Sequence, residues 1–286
     1  MDSGSAEIAF DCDEFRLYKD GHAVRAGWVQ DTVPAGFDAD TGVTSKDVVI
    51  DAATGVAARL YLPNIQTAPS ARVVAVSVRY RLAPEHLLPA AYDDAWAALN
   101  WAASGADPWL SEHGDRDRVF VAGVSAGANI AHNMAIAAGV SGLKDAAKPL
   151  APARVEGVIL LHPSFAAAQK MEAEAEEFWQ ANKKRWTAIF PGAKDGLDDP
   201  RINPMAADAT SLTKLVGERL LVCTASEDSR APWVRAYRDA VRASGWRGEV
   251  QSFESDGEGH GFFVSNPSSR EAVKLMERLV AFVTEH

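Results

Sequence analysis

Cysteine is scarce: Cys12 and Cys223 are the only two, and they lie far apart in the chain. A disulfide-stapled secreted scaffold is thereby excluded, and the pair reads as two reduced thiols of a cytoplasmic protein. Long apolar runs are missing too. No stretch reaches the roughly 20 residues that a membrane-spanning helix needs, and the opening MDSGSAEIAF lacks a basic region followed by an apolar one, so neither a membrane nor a secretory route is expected. Positive charge is in deficit. The 29 Lys and Arg against 39 Asp and Glu leave a net charge of −10, which speaks against affinity for nucleic acid or anionic lipid. No Cys/His cluster has metal-ligand spacing and no Gly-rich loop is built to cradle phosphate, so neither a metal nor another cofactor is expected. Linkers, repeats and low-complexity tracts are absent as well, and residues 1–286 read as a single domain.

What is present is an alternation of apolar strands and helices. Hydrophobic residues make up 47% of the chain and charged ones 24%, enough for a large core. Val48–Ile50 and Val56–Leu62 read as a hairpin turning at Gly55. The run ARVVAVSVRY is continuously apolar, as expected of a strand buried on both faces, and Tyr92, Trp96 and Leu99 then recur at helical spacing. RVFVAG, EGVILLHP, RLLVCTAS and GEVQSFES read as further strands. The first, third and fourth of these lead into AGANIAHNMAIAAG, APWVRAYRDAVRAS and SREAVKLMERLVAFVTEH, which read as helices. Such alternation specifies an α/β fold with a mostly parallel central sheet and helices on both faces. Segment 165–205 fits it least well. Its charged stretch, marked by Phe178, Trp179 and Trp186, reads either as a helical cap inserted over a pocket or as a solvated surface helix with anchoring aromatics.

The chemistry centres on Gly123-Val124-Ser125-Ala126-Gly127. Gly-x-Ser-x-Gly arises by chance in roughly one chain in ten of this length, so the motif alone decides little. Its setting between an apolar strand and a helix is that of a nucleophile elbow, which holds the serine above the sheet and aims a helix N-terminus at developing negative charge. A serine hydroxyl needs a base, and the base needs an orienting carboxylate. On such a sheet the order is serine, acid, histidine, each just after a strand. Asp228 and its neighbour Glu227 follow LLVCTAS, and His260 lies in the glycine-rich turn GEGHG. Asp228 could instead serve as a helix cap, and His260 as an exposed loop residue. The other histidines, His22, His86, His113, His132, His162 and His286, lack such a setting and read as structural or solvated.

At these residues the chain resembles the plant class-I carboxylesterases, in the hormone-sensitive-lipase-like branch of the α/β-hydrolases. LYKDG, DTVPAG, TGVTSKDVVID, VVAVSVRYRLAPEHLLPAAYDDAWAAL, GVSAGANIAHNMA, DDPRINPMA and SGWRGEV leading to GEGHGF carry the likeness nearly end to end. The resemblance implies an α/β-hydrolase fold and a triad of Ser125, Asp228 (rather than Glu227) and His260 hydrolysing esters of small, largely apolar molecules. It implies no cofactor, assigns no oligomeric state, and makes 1–45 a lid segment over the pocket. The same branch contains non-catalytic gibberellin receptors and 2-hydroxyisoflavanone dehydratases. The receptors typically lack the triad histidine, and the dehydratases often carry threonine as nucleophile, so His260 and Ser125 favour an esterase.

The chain departs from that pattern in one large respect. The family places a strand ending in His-Gly-Gly-Gly, then a helix, between ARLYLP and VVAVSV, and here only NIQTAPSAR lies there. On the order of 30–40 residues are missing, judged from the size of a strand–helix unit. Val124 and Arg79 also stand where the family usually has acidic residues. Of the oxyanion donors, the N–H of Ala126 remains while those of the Gly-rich loop are gone, so either weak activity or an inactive remnant of a hydrolase is expected. The segment from Pro63 to Arg72 is long enough to join the flanking strands directly. The neighbours of the lost strand are then expected to close up by ~4.8 Å into a seven-stranded sheet, one strand short of the family.

Overall fold

The computed structural model describes residues 7–12, 15–25, 33–64, 73–143, 153–207, 210 and 212–285. Near the N-terminus, β1 (Ile8–Asp11), β2 (Phe15–Tyr18) and β3 (Ala23–Arg25) form a small antiparallel sheet. Arg25 ties it to the body by donating to the carbonyl of Ala83 (2.7 Å) and pairing with Glu85. A second antiparallel sheet contains β4 (Phe37–Asp38), β5 (Val43–Asp51), β6 (Val56–Pro63) and β7 (Ala75–Arg79), in that order. Its β5–β6 hairpin is the expected one, and it turns at Gly55 with φ +76°, a left-handed conformation that glycine adopts without steric cost.

Two helices follow, α1 (Ala90–Ala103) and α2 (Pro108–His113). The latter is capped by the Asp107 carboxylate, which accepts from the Trp109 N–H at 2.8 Å. Next come β8 (Val119–Val124), α3 (Ala126–Ser141), β9 (Val155–Leu161) and α4 (Glu176–Ile189). The chain ends with β10 (Arg219–Ala225), α5 (Ala231–Ala243), β11 (Glu249–Ser255), the short α6 (Phe262–Ser265) and α7 (Arg270–Thr284). The four strands β8–β11 form a parallel sheet in the order β11-β10-β9-β8.

The apolar runs of β9 and β10 are explained by this layering. Val158, Leu160, Leu220 and Val222 point into one core with Ala131 and Ala135 of α3 and Trp233 and Tyr237 of α5. The alternate residues Ile159, Leu161, Leu221 and Cys223 point into a second core with Leu275 and Phe282 of α7. A strand covered on both faces must be apolar at every position, and each leucine so buried contributes about 1.5–3 kcal/mol. Neither cysteine forms a disulfide, and Cys223 lies within the core. Among the described residues no helix is long and apolar enough to cross a membrane.

The expected closure of the sheet does not occur. Among the described residues no ladder joins β7 to β8, and the strands divide into two four-stranded sheets with the three-stranded one beside them. Helix packing accounts for this. α1 lies on β5–β7 and against α3, which in turn lies on β8. Packed helix axes stand about 8–10 Å apart, close to two strand spacings, so the α1–α3 contact opposes the approach of β7 and β8 to a single strand spacing. β7 is also less buried than its composition suggests. Ala75, Ser77 and Arg79 are exposed on the face they share with the Arg59–Asp47 ion pair, while Val76 on the other face packs beside Leu60 and Leu110. The segment that replaces the family's strand, loop and helix lies outside the described residues from 65 to 72.

Candidate active site

Ser125 follows β8 and caps α3 with φ 54° and ψ −115°, a conformation rare for a residue other than glycine. Backbone bonds hold it: its N–H donates to Leu161 O (2.8 Å), and its carbonyl accepts from the N–H groups of Ala128 (3.1 Å), Asn129 (3.2 Å) and Ser164 (3.2 Å). The tightness of the elbow depends on Gly123, where an added Cβ would lie 2.1 Å from the carbonyl oxygen of Gly127. The second motif glycine differs, because among the described residues a Cβ at Gly127 would meet nothing outside its own helix turn within 4 Å. Ala126 heads α3 and is exposed, so its N–H is one of the first-turn donors without an intrahelical partner.

His260 follows β11, and its Nε2 lies 2.9 Å from Ser125 Oγ. Its Nδ1 donates to Asp228 Oδ2 at 2.7 Å. The rivalry between the two adjacent carboxylates is resolved by the turn after β10: Asp228 is buried and faces His260, while Glu227 is exposed. Asp228 also serves the backbone, since its Oδ1 accepts from the Arg230 N–H at 2.9 Å as α5 begins. Burial alone would raise its carboxyl, but hydrogen bonds from His162, His260 and the Arg230 N–H outweigh that and hold it well below the usual carboxylate range. The site lies open, with Val124 37% exposed and the His260 side chain 29% exposed.

The cluster has a further member that its local sequence does not single out. His162, expected to be merely structural or solvated, donates from Nδ1 to the same Asp228 Oδ2 at 2.8 Å. A signal for it was available. His162 directly follows β9, as Ser125 follows β8, and ligand-facing residues of parallel sheets gather at the carboxyl ends of strands. His132, in contrast, is a core residue bonded to the Tyr237 hydroxyl at 2.9 Å. His286 lies outside the described residues.

The side chains of His162, Asp228 and His260 are close enough together to suggest a cation site. Their spacing favours hydrogen bonding instead. Ligands about 2.0–2.1 Å from a tetrahedral zinc stand roughly 3.3 Å from one another, whereas these nitrogens lie 2.7 and 2.8 Å from the carboxylate oxygen. The residues do not fit a metal ion in this arrangement.

Segment 165–205 joins the same end of the sheet to the core. Trp186, Phe190 and Ile202 are buried in the main core, and Trp179 donates to Ala167 O at 3.2 Å. Phe178 of α4 lies under the Arg230 guanidinium, 5.2 Å from ring centroid to Arg230 Cζ. Tyr92 of α1 donates to Asn129 of α3 (2.8 Å), and Asn129 donates to Arg201 O (2.8 Å), which pins the helix behind Ser125 to this segment.

A family model described as the α/β-hydrolase fold matches residues 64–264. A 2-hydroxyisoflavanone dehydratase from Glycyrrhiza echinata is 33% identical over 94% of this chain and 93% of its own. The tuliposide A-converting enzyme b2, amyloplastic, of Tulipa gesneriana is 35% identical over 97% of this chain and 80% of its own. Probable carboxylesterase 3 of Arabidopsis thaliana is 32% identical over 94% and 95%. The alignment with the dehydratase runs over 315 residues against a chain of 286, so that relative carries residues with no counterpart here. Among solved structures, a hyperthermophilic esterase from the archaeon Pyrobaculum calidifontis has the same fold at TM-score 0.66 and 24% identity, over 84% of this chain and 85% of its own. An elbow between strand and helix, the order in which the polar groups leave the strands, and likeness along nearly the whole chain agree: it belongs to the α/β-hydrolase family, in its carboxylesterase-like branch.

Proposed function

We propose that the protein hydrolyses carboxylic esters of small, largely apolar molecules through Ser125, His260 and Asp228. The observation that carries this reading is the unbroken chain of contacts from Ser125 Oγ to His260 Nε2 (2.9 Å) and from His260 Nδ1 to Asp228 Oδ2 (2.7 Å). Ser125 attacks the ester carbonyl carbon as His260 takes its proton, and the Asp228 carboxylate stabilises the imidazolium that forms. His260 then protonates the departing alkoxide, leaving an acyl group on Ser125, and the same base activates water to release the acid. The Ala126 N–H at the positive end of α3 faces the oxyanion. Losing one such donor costs about 10²–10³ in rate, roughly 2.7–4 kcal/mol, so without the Gly-rich loop slow turnover of activated esters is expected.

In this reading residues 1–286 form one domain, 165–205 serve as its cap and 1–45 as a lid segment, with a cytoplasmic location. Relatives named as amyloplastic or chloroplastic make a plastid the alternative location. A dehydratase role is the second reading, because one relative carries that name; the serine at position 125 favours hydrolysis. A non-catalytic receptor or an inactive remnant would leave the 2.9 Å contact between Ser125 and His260 without a use.

Hydrolysis of p-nitrophenyl butyrate by the wild type and by Ser125→Ala decides the matter. The wild type is expected to exceed the variant by at least tenfold, with a burst stoichiometric with Ser125. Equal rates would refute triad catalysis.

A further inference from the structure

The acid of the site is shared by two imidazoles. His162 is fully buried (0% exposed), with φ 50°, and its N–H donates to Cys223 O on the neighbouring strand at 2.9 Å. Its ring stands 5.4 Å from that of His260 and 5.5 Å from that of Phe263. Nδ1 reaches Asp228 Oδ2 at 2.8 Å, while the buried Nε2 has no hydrogen-bond partner among the described residues. A carboxylate only accepts, so Nδ1 carries the hydrogen. A hydrogen on Nε2 would find no acceptor among the described residues, so the geometry assigns the hydrogen to Nδ1 and leaves Nε2 bare.

Building on the ester-hydrolase reading, we propose that His162 is a positioning residue that shares Asp228 Oδ2 with His260, fixing the carboxylate rotamer and limiting how strongly Asp228 stabilises the His260 imidazolium. A histidine that merely filled space would have no reason to aim its donor at the oxygen that already serves the base. Among the described residues, the Arg230 guanidinium at the start of α5 pairs with this carboxylate, 3.8 Å from Oδ1. Phe262 and Phe263, which flank His162 from α6, carry no charge. Cys223 on β10, whose backbone holds His162, has its thiol pushed up to about 12 by burial and so remains neutral. Without the His162 donor, Asp228 leans more fully on His260, the imidazolium is stabilised, and the base is lost to protonation at higher pH.

The test is the pH dependence of Ser125 labelling by a fluorophosphonate, which reads the nucleophile without requiring turnover. In His162→Leu the acid limb of the labelling rate is expected to move up by about one pH unit, with a loss approaching tenfold below the limb and little change above it. His162→Asn, which returns an amide N–H near the Nδ1 position, is expected to bring the limb back. A uniform loss at every pH, or an unmoved limb, overturns the proposal. Nitrogen-15 spectra of the wild type provide a second check that no variant's folding can obscure: His162 Nε2 must show the shift of an unprotonated nitrogen, and a protonated Nε2 overturns the proposal. A wild-type Ser125 that resists labelling at all pH values refutes the ester-hydrolase reading instead, and the nitrogen spectra then decide the His162 assignment alone.

Discussion

The two glycines of the elbow look equivalent in the sequence and differ in the structure, which makes Gly123→Ala and Gly127→Ala an informative pair. At Gly123 the added methyl would lie 2.1 Å from Gly127 O, 2.2 Å from its carbonyl carbon and 2.6 Å from Ala128 N. All three are backbone atoms of the first turn of α3, so no side chain can swing aside. Restoring ordinary contact requires the turn to retreat by about 1 Å, and overpacking of this kind costs typically 1–3 kcal/mol. Ser125 lies between the two glycines and moves with the turn, stretching its 2.9 Å contact with His260 beyond hydrogen-bonding reach. A misplacement of that size costs on the order of 10² in rate. At Gly127, in helical backbone with no described atom outside its own helix turn within 4 Å of the new methyl, alanine is expected to stabilise the helix by about 0.5–1 kcal/mol. The assay is fluorophosphonate labelling of Ser125 beside thermal unfolding. Gly123→Ala should melt several degrees lower and label about a hundredfold more slowly, whereas Gly127→Ala should melt slightly higher and label normally. A Gly123→Ala protein with wild-type labelling, or a Gly127→Ala protein that melts lower, would refute the steric argument.

Two further outcomes are expected. Inserting the strand, His-Gly-Gly-Gly loop and helix of the family between Pro63 and Val73 should pair with the open edges of β7 and β8 and supply at least one oxyanion N–H. Ester hydrolysis should rise by at least about 10², and a folded insertion with an unchanged rate would contradict the oxyanion account. Burial of His132 pushes its imidazole down to about 3, so between the ordinary histidine value of about 6.5 and that point the unfolded chain binds a proton that the folded one does not. Stability should therefore fall as pH drops through this window, by up to about 1.4 kcal/mol per unit in urea titrations, and His132→Phe should remove that part of the slope.

Much of the fold was legible because its signals are local. Unbroken apolar runs such as VEGVILL and RLLVCTA identify strands covered on both faces, and β9 and β10 are such strands. ARVVAVSVRY carries the same signal yet forms the half-exposed β7. Its composition suits the buried position it has in the family, and the neighbour that would cover it is missing from this chain. The sheet closure expected from strand spacing failed for a related reason: the approach of β7 to β8 is opposed by α1 against α3, a contact between helices that strand patterns do not encode.

By itself the sequence determined that this chain builds a parallel sheet with a serine elbow, and that an acid and a histidine follow on later strands in the order of an α/β-hydrolase. Composition, period and the Gly-x-Ser-x-Gly turn suffice for that, since each acts within a few residues. Only the tertiary structure decided that Gly123 and not Gly127 is sterically required and that His162 joins the site, and it brought Asp228, which the resemblance alone had favoured over Glu227, against His260. These depend on distances of 2–4 Å between atoms 4 to 66 residues apart in the chain, which packing sets and local pattern does not.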